Sequence, residues 1–449
     1  MALTPNQWLD RLTKQMDARA GRLARLRSYM DGNAPLPEGA EGCRDAYKDF
    51  QKKARTNFGE LVVDAVVERL IPAGFSVGGR QEDDDQLRLI WKRNRLQLGI
   101  SDVLRDMVGL SAGYLIVGEE SPGRASVTCE RPEQVITEQS PTRPDLVRAG
   151  LKVYRDAIAG KDFAFLHLVG ELHVYSRPLY DFMGRPTVMP SVVGGWLWES
   201  SDETGLDFVP IFPFINRGGL GEFETHTDLL DVINWQILQT LVIIAMQAYR
   251  QRATEGDLPD EDDEGKPIDY NKMFAPGPGS LWRLPEGVKL WESQTTDIQS
   301  TLMGVKDSLT RLGAVTRTPM SMLLPDGANQ SAEGASFAKE GLVFKAGDRK
   351  ERATVPLAMA MGAALAIEQG LSSVVEDVEA LWHPVERQSL AERADAATKA
   401  QDLPWRTRMT DIWGYSADRV DAMETERAAD ALNAALAFPA PVASGTPAA

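Results

Sequence analysis

Cysteine is nearly absent: Cys43 and Cys129 are the only two in 449 residues. Two thiols build neither a disulfide framework nor a cysteine-based zinc module, and such usage fits a reducing compartment. Basic charge is also short, with 49 Lys and Arg against 65 Asp and Glu, for a net charge of −16. That balance disfavours a sequence-specific duplex binder with a large phosphate-gripping patch. It does not disfavour a channel through which nucleic acid slides without sticking. No Gly-x-x-x-x-Gly-Lys-Ser/Thr run occurs, so the usual phosphate cradle of a motor is missing and any motor must be another protein. The N-terminal stretch has no secretory hydrophobic region. The longest apolar run in the most apolar segment is Leu241 to Met246, between Thr240 and Gln247. A membrane span needs about 20 predominantly apolar residues, so no membrane partner is expected. Internal repeats are lacking too.

What remains is the composition of an ordinary globular protein, 43% apolar and 25% charged, on a chain long enough for more than one core. Met1 to Met30 reads as a basic amphipathic helix, with Leu9, Leu12, Met16, Leu23 and Leu26 set among arginines and Lys14. A second helix is predicted from Arg44 to Leu70, stopped near Pro72 and Gly74. The acidic run Glu82 to Asp85 then precedes an amphipathic stretch from Leu87 to Val108. Beyond it the apolar period changes to two. Tyr114–Val117, Ser126–Cys129, Val147–Tyr154, Phe163–Leu168, Leu172–Tyr175, Trp196–Glu199 and Phe208–Phe214 read as strands between Gly and Pro breakers. The fold class is α+β, helices first and then a meandering sheet.

Two long helices around an acidic insert follow. The first, about Thr225 to Thr254, is apolar nearly all round, so it must be buried on most sides. Neighbouring copies of the same helix could cover it, which points to a ring. The insert, Glu255 to Ser293, opens with Asp260, Glu261, Asp262, Asp263 and Glu264 and carries Trp282 and Trp291. The second helix starts at a capping box, Thr296-Asp297-Ile298-Gln299, and shows the single stripe Ile298, Leu302, Val305, Leu309 and Leu312. A third long helix is predicted from Ser331 to Gly370, kinked or divided at Pro356. Ala435 to Ala449 is expected to be a disordered tail.

The catalytic inventory is poor. Gly109-Leu110-Ser111-Ala112-Gly113 matches a nucleophile elbow, but that motif needs a strand before the serine and a helix after it. Here the order is reversed, and the glycines are expected to permit a tight helix-to-strand turn. His167 and His173 flank a hairpin without a carboxylate or thiolate partner, so no metal is expected. The acidic run lacks the ligand spacing of a calcium loop and reads as a solvated or partner-binding surface. On the third helix Lys345, Arg349 and Arg352 share one face. That face is either an ordinary charged surface, with Asp348 and Arg352 paired, or a stripe offered to phosphates.

Several segments resemble the portal proteins of long-tailed double-stranded DNA phages. They are Tyr29–Asn33 with Pro35-Leu36-Pro37, Asn57–Arg69, Pro213-Phe214-Ile215-Asn216-Arg217, Arg317-Thr318-Pro319, Ser331–Ala335 leading into Lys345, and Leu381-Trp382-His383-Pro384. The resemblance implies a non-enzymatic subunit of a dodecameric ring at a capsid vertex, assembled in the host cytoplasm, with DNA passing through it without base readout. It implies a wing over residues 1–224, stem helices over 225–254 and 294–317, and a small β-containing clip over 255–293. A tunnel loop over 318–330, a tunnel helix over 331–371 and a helical C-terminal region over 372–434 complete the portal fold. Pro319, Met320, Leu323, Leu324 and Asn329 would lie in the tunnel loop. Lys345, Arg349 and Arg352 would be candidate DNA contacts. Ile237, Leu241, Ile244, Leu302 and Leu309 would be candidate subunit contacts. Asp260 to Asp263, Trp282 and Trp291 would meet the terminase and then the head-to-tail adaptor, and capsid and scaffolding proteins would be further partners. No cofactor is implied. Two other classes stand beside this one: a helical pore-forming protein, and a serine hydrolase resting on Ser111.

Overall fold

The computed structural model describes residues 3–37, 45–78, 80–179, 191–248, 252–256, 260–261, 264–270, 289–292, 298–324, 332–386, 390–415 and 417–437. They form two compact units. One comprises Met1–Ala34, Asn57–Thr227 and Gly313–Ala449, the other Pro35–Thr56 and Asp228–Leu312.

The first unit opens with α1 (Pro5–Met30). The Thr4 hydroxyl accepts from the Gln7 backbone N–H, the Gln7 side chain accepts from the Thr4 N–H, and Pro5 presets φ for the first turn. The expected stripe of Leu9, Leu12, Met16, Leu23 and Leu26 is buried, with Trp8, Tyr29 and Met30 beside it. The basic residues between them are committed within the unit. Arg11 pairs with Glu138, Arg22 with Glu224, and Arg27 with both Asp106 and Glu133. The helix is a strap fixed to the fold by its charges as well as its leucines.

Where one helix is predicted from Arg44 to Leu70, there are two: α2 (Asp45–Ala54), in the second unit, and α3 (Phe58–Val67), in the first. Asn57 separates them. Its side chain accepts from the Glu60 N–H as an N-cap and donates to the Met30 carbonyl at 2.9 Å, a geometry that ends any helix arriving from before it. β1 (Pro72–Val77) comes next, then α4 (Gln81–Arg93) and α5 (Leu96–Leu110).

β2 (Ala112–Ser121) and β3 (Arg124–Glu130) pair as a hairpin. β4 (Val135–Gln139), β5 (Val147–Asp156), β6 (Lys161–Leu168), β7 (Glu171–Pro178) and β8 (Leu197–Glu203) form a five-stranded antiparallel meander. β9 (Ile211–Ile215) leaves that meander and pairs with β2. The one sheet suggested by the alternation is therefore two. Trp8, Leu9, Leu12 and Met16 of α1 close over Ile136, Leu151, Leu166 and Tyr175 of the meander.

In the second unit α6 (Thr227–Ala248) buries Leu230, Ile233 and Leu238 on one side, while Val232 and Trp235 stand 44% and 48% exposed on the other. Asn234 is buried, and its carbonyl oxygen accepts from the Thr56 N–H at 3.0 Å and the Thr56 hydroxyl at 2.7 Å. Among the described residues the segment Glu224–Ala245 is long and apolar enough, by length and composition, to cross a membrane. The predicted helix does not reach Thr254: Arg252–Glu255 form β10, antiparallel to β11 (Lys289–Glu292). The register sets Arg252 opposite Glu292 and Glu255 opposite Lys289, residues of opposite sign, as a stable ladder favours. The Ile268 N–H donates to the Asp260 carbonyl at 3.0 Å, and Glu261 forms an isolated antiparallel bridge with Pro267. Asp262, Asp263, Trp282, Thr296 and Asp297 lie outside the described residues. α7 (Ile298–Thr316) buries Leu309 and Leu312 and leaves Leu302 and Met303 exposed.

The first unit resumes at Gly313. α8 (Met320–Leu323) is one turn after Pro319, with Leu323 buried and Leu324 partly so; Asn329 lies outside the described residues. α9 (Ala332–Glu368) runs unbroken through Pro356, against expectation. Past the proline, Leu357, Ala360, Met361, Ala364 and Leu365 are all buried, and that packing outweighs one lost backbone bond. β12 (Val378–Trp382) pairs antiparallel with β1, a sheet the strand pattern does not announce. α10 (Leu390–Lys399) and α11 (Ala417–Ala437) complete the described chain. The expected tail overlaps α11 over residues 435–437 and otherwise lies outside the described residues.

Candidate functional site

Segments far apart in the sequence converge on Glu222. Leaving β9, the Asn216 backbone N–H donates to the Ser111 carbonyl at 2.9 Å, and its side-chain amide donates to the Leu220 carbonyl at 2.7 Å. The Glu222 N–H donates to the Val108 carbonyl at 2.9 Å. Gly221 makes this tie possible: a Cβ there would sit 2.1 Å from the Gly109 carbonyl oxygen. The loop from Asn216 to Glu222 is thus pinned to the end of α5.

Onto this loop α9 sets two cations. Arg349 Nε and Nη2 each approach Glu222 Oε1 at 2.6 Å, and Lys345 Nζ lies 3.6 Å from Oε2. Lys345 also donates to the Thr316 carbonyl at 2.6 Å, so the end of α7 joins the cluster. All three charged side chains are at least nine-tenths buried. Burial pushes the Lys345 ammonium below its ordinary range, and Glu222 partly restores it. Asp348 bridges Arg349 and Arg352.

The basic stripe is therefore divided. Lys345 and Arg349 share a helix face as expected, yet the loop carrying Glu222 covers that face. Buried side chains cannot touch a duplex, so the phosphate-facing role drawn for these two gives way to an internal ion cluster. Only Arg352, with its side chain 40% exposed, remains at the surface, held by Asp348 at 3.2 Å.

Above the cluster is a cleft of about 280 Å³ lined by Asn216, Arg217, Glu222, Arg317, Phe344 and Lys345, among others. Arg217 and Arg317 are exposed and make no ion pair among the described residues. Arg317 takes a left-handed backbone, φ 53°, where the chain turns from α7 into Thr318 and α8. Both arginines stand in segments that carry the family resemblance. Their sequence context gives them no role, because nothing local shows that they meet.

Ser111 is the helix-to-strand joint. It is buried, follows α5 and precedes β2, the reverse of a nucleophile elbow. The left-handed residue of this turn is Ser111 itself, at φ 80°, and not either glycine. The glycines serve close approach instead: a Cβ on Gly113 would lie 2.3 Å from the Val103 carbonyl oxygen, and one on Gly109 2.3 Å from Met30 Sδ. His167 and His173 stand opposite Leu172 and Leu166, not each other, and His173 is 2.8 Å from Glu171. Among the described residues no group of three or more His, Cys, Asp or Glu could hold a metal ion.

The expected subunit contacts fall unevenly. Ile237 and Leu241 are half-buried, and Ile244 and Leu302 are exposed. Leu309 is 4% exposed and already covered within its own chain. Trp235 and Met303 are more open than any of them, and Val232, at 44%, is nearly as open as Ile244 and Leu302; none of the three is among the expected contacts. The usable signal is the i,i+3 spacing of Val232 and Trp235, opposite the side that Leu230 and Ile233 bury. In the insert, Trp291 is 55% exposed.

Distant segments of the chain are thus tied by caps, close glycine contacts and ion pairs. The family model for phage portal protein, SPP1 Gp6-like, matches residues 9–430, and the chain belongs to that family. It is a portal protein, a structural component of a phage particle. Three solved structures of gene transfer agent particles resemble it. The native virion is 12% identical with a TM-score of 0.41, over 87% of this chain and 97% of that one. The neck of the native particle, computed with C12 symmetry, is 14% identical at 0.43, over 87% and 98%. The neck of the empty particle, computed with C6 symmetry, is 13% identical at 0.41, over 87% and 97%. No curated protein sequence matches the chain.

Proposed function

We propose that copies of this chain close into a ring at one capsid vertex, through which double-stranded DNA enters and leaves without being read. Twelve copies is the number the resemblance implies. In this reading the strand pair β10–β11 and the loop at Asp260 and Glu261 belong to the clip, which receives the terminase during packaging and the head-to-tail adaptor afterwards. Capsid and scaffolding proteins meet the outer wing, and catalysis resides in the motor rather than in this chain.

The observation that carries ring closure is the bare apolar side of α6. Val232 and Trp235 are nearly half exposed on a helix whose other side is already buried. An aromatic and a β-branched side chain left open side by side call for a protein cover. Electron-microscopic top views of the purified chain in detergent-free buffer test this. Wild type gives rings with an axial hole, and Val232→Asp with Trp235→Asp gives folded single subunits, because closure would bury unpaired carboxylates. A wild-type chain that stays monomeric at micromolar concentration overturns the reading. The length and apolarity of Glu224–Ala245 favour a second reading, membrane insertion. That reading instead requires detergent for solubility and co-flotation with lipid vesicles.

A further inference from the structure

We infer that the cleft above Glu222 is a binding site for a phosphate-class dianion, with Lys345 at its floor and Arg217 and Arg317 at its rim. Every group belongs to one copy of the chain, so the site stands whether or not copies close into a ring. The first observation is a shortage of hydrogen-bond acceptors. The Lys345 ammonium carries three N–H donors on a side chain only 6% exposed. It donates to the Thr316 carbonyl at 2.6 Å, while Glu222 Oε2, at 3.6 Å, is an ion-pair partner beyond hydrogen-bond reach. Among the described residues no other acceptor meets it. A buried ammonium short of acceptors is costly, and an oxyanion entering the cleft would supply them.

The second observation is charge. Arg217, Arg317, Lys345 and Arg349 line the cleft against Glu222 and Asp348; four cations less two carboxylates leave an excess of +2, with His226 neutral. Both carboxylates are taken, Glu222 by Arg349 and Lys345, and Asp348 by Arg349 and Arg352. Arg217 and Arg317 make no ion pair among the described residues. Arg317 packs along α9: its Cβ lies 3.8 Å from where a Cβ on Gly341 would be, and Gly341 is one turn before Lys345 on the same face. The Thr318 N–H donates to the Gly313 carbonyl at 2.9 Å and closes the turn that holds Arg317 in its left-handed backbone. Arg349 and Arg317 both repel the Lys345 ammonium, which burial already holds below its ordinary range. On a chain of net charge −16, this unanswered positive charge is a local exception.

The ligand class follows from these counts. Two excess charges match a dianion, inorganic phosphate or a terminal phosphate monoester, better than a phosphodiester, which carries one. Guanidinium forks take phosphate oxygens with paired N–H donors, and the ammonium takes a further oxygen as a point charge. At about 280 Å³ the cleft falls below the ~300 Å³ at which pockets for drug-sized ligands begin. Its deepest donor is nearly closed to solvent, so a free anion or a chain end reaches it where the middle of a duplex strand does not. Two sources carry that chemistry: free phosphate, and the 5′-phosphate at a DNA end.

Titration calorimetry of the full-length chain with inorganic phosphate, against sodium chloride of equal ionic strength, tests the assignment. Wild type should bind one phosphate per chain. Arg217→Gln and Arg317→Gln should each weaken binding about tenfold, since each removes a charge-assisted contact, and Lys345→Met should abolish it. Phosphate should raise the Tm of wild type and leave that of the double glutamine variant unmoved, while the two melt alike without phosphate, which confirms that the variant folds. A fluorescent duplex with or without a 5′-phosphate separates the sources. Preference for the phosphorylated end, lost in the double variant, assigns the DNA end. Duplex binding indifferent to both the 5′-phosphate and the arginines, beside intact phosphate binding, assigns the free anion. The inference is overturned if inorganic phosphate binds wild type and the double variant alike, or binds neither. It is also overturned if both duplexes bind equally and both weaken in the double variant, which would make the arginines contacts to backbone diesters.

Discussion

Arg349 and Glu222 are 127 residues apart in the chain and in contact at 2.6 Å, both buried. A carboxylate in such a position neutralises two cations at once. Removing it by Glu222→Ala should destabilise the first unit by about 3–5 kcal/mol, because Lys345 and Arg349 would be left charged and unpaired out of water. Urea denaturation at neutral pH measures this. Replacing all three with Met should cost clearly less, since no charge is then stranded. If Glu222→Ala is neutral while its neighbours stay buried, the cluster does not hold the loop to α9.

A second expectation concerns acid. Burial, with Lys152 nearby adding repulsion, pushes the His167 imidazole from its ordinary 6.5 down to about 4. The unfolded chain therefore binds a proton below pH 6.5 that the folded chain refuses until about pH 4. Stability from this group is fully present above pH 6.5 and is lost as pH falls through that window. The ring is only partly buried by surface area, so the loss is on the order of 1–3 kcal/mol. Comparing wild type with His167→Gln by denaturation at neutral and mildly acidic pH checks it: the variant should show a shallower fall.

Ser111 is expected to behave as a turn residue. Ser111→Gly should preserve or raise stability, by up to about 1 kcal/mol, since glycine adopts φ 80° without the Cβ clash. A fluorophosphonate probe should leave the native chain unlabelled. Labelling that disappears in the variant would revive the hydrolase reading.

Two glycines of β2 should respond unequally. Gly113→Ala places its methyl against the Val103 backbone, which cannot give way, and should cost about 1–3 kcal/mol. Gly118→Ala meets nothing within 4 Å and should be near neutral. Thermal melts of the two variants suffice, and equal shifts would show that close packing against α5 is not what fixes Gly113.

Much of the architecture is legible from local pattern. The leucine spacing of α1 names the residues it buries, and the change of period near Tyr114 marks where helices give way to strands. The reversed order around Ser111 argues against an elbow. These readings succeed because helix and strand periods are set by the backbone, so a side chain's direction within its own element follows from its position. The division at Asn57 is not legible for a similar local reason: an N-cap and a polar helix residue look alike until a nearby carbonyl, that of Met30, takes the amide.

Only the tertiary structure decided what each face meets. Ser76 pairs with Glu379 across some three hundred residues, in strands too short and too irregular to declare themselves. A helical wheel placed Lys345 and Arg349 together and could not show that the loop with Glu222 lies over them. It likewise could not show that Leu309 is covered at home while Trp235 is left open. Periodicity is local and written into the residue order. Burial, the pairing of charges and the partner of a strand depend on chain segments that approach only when the fold closes.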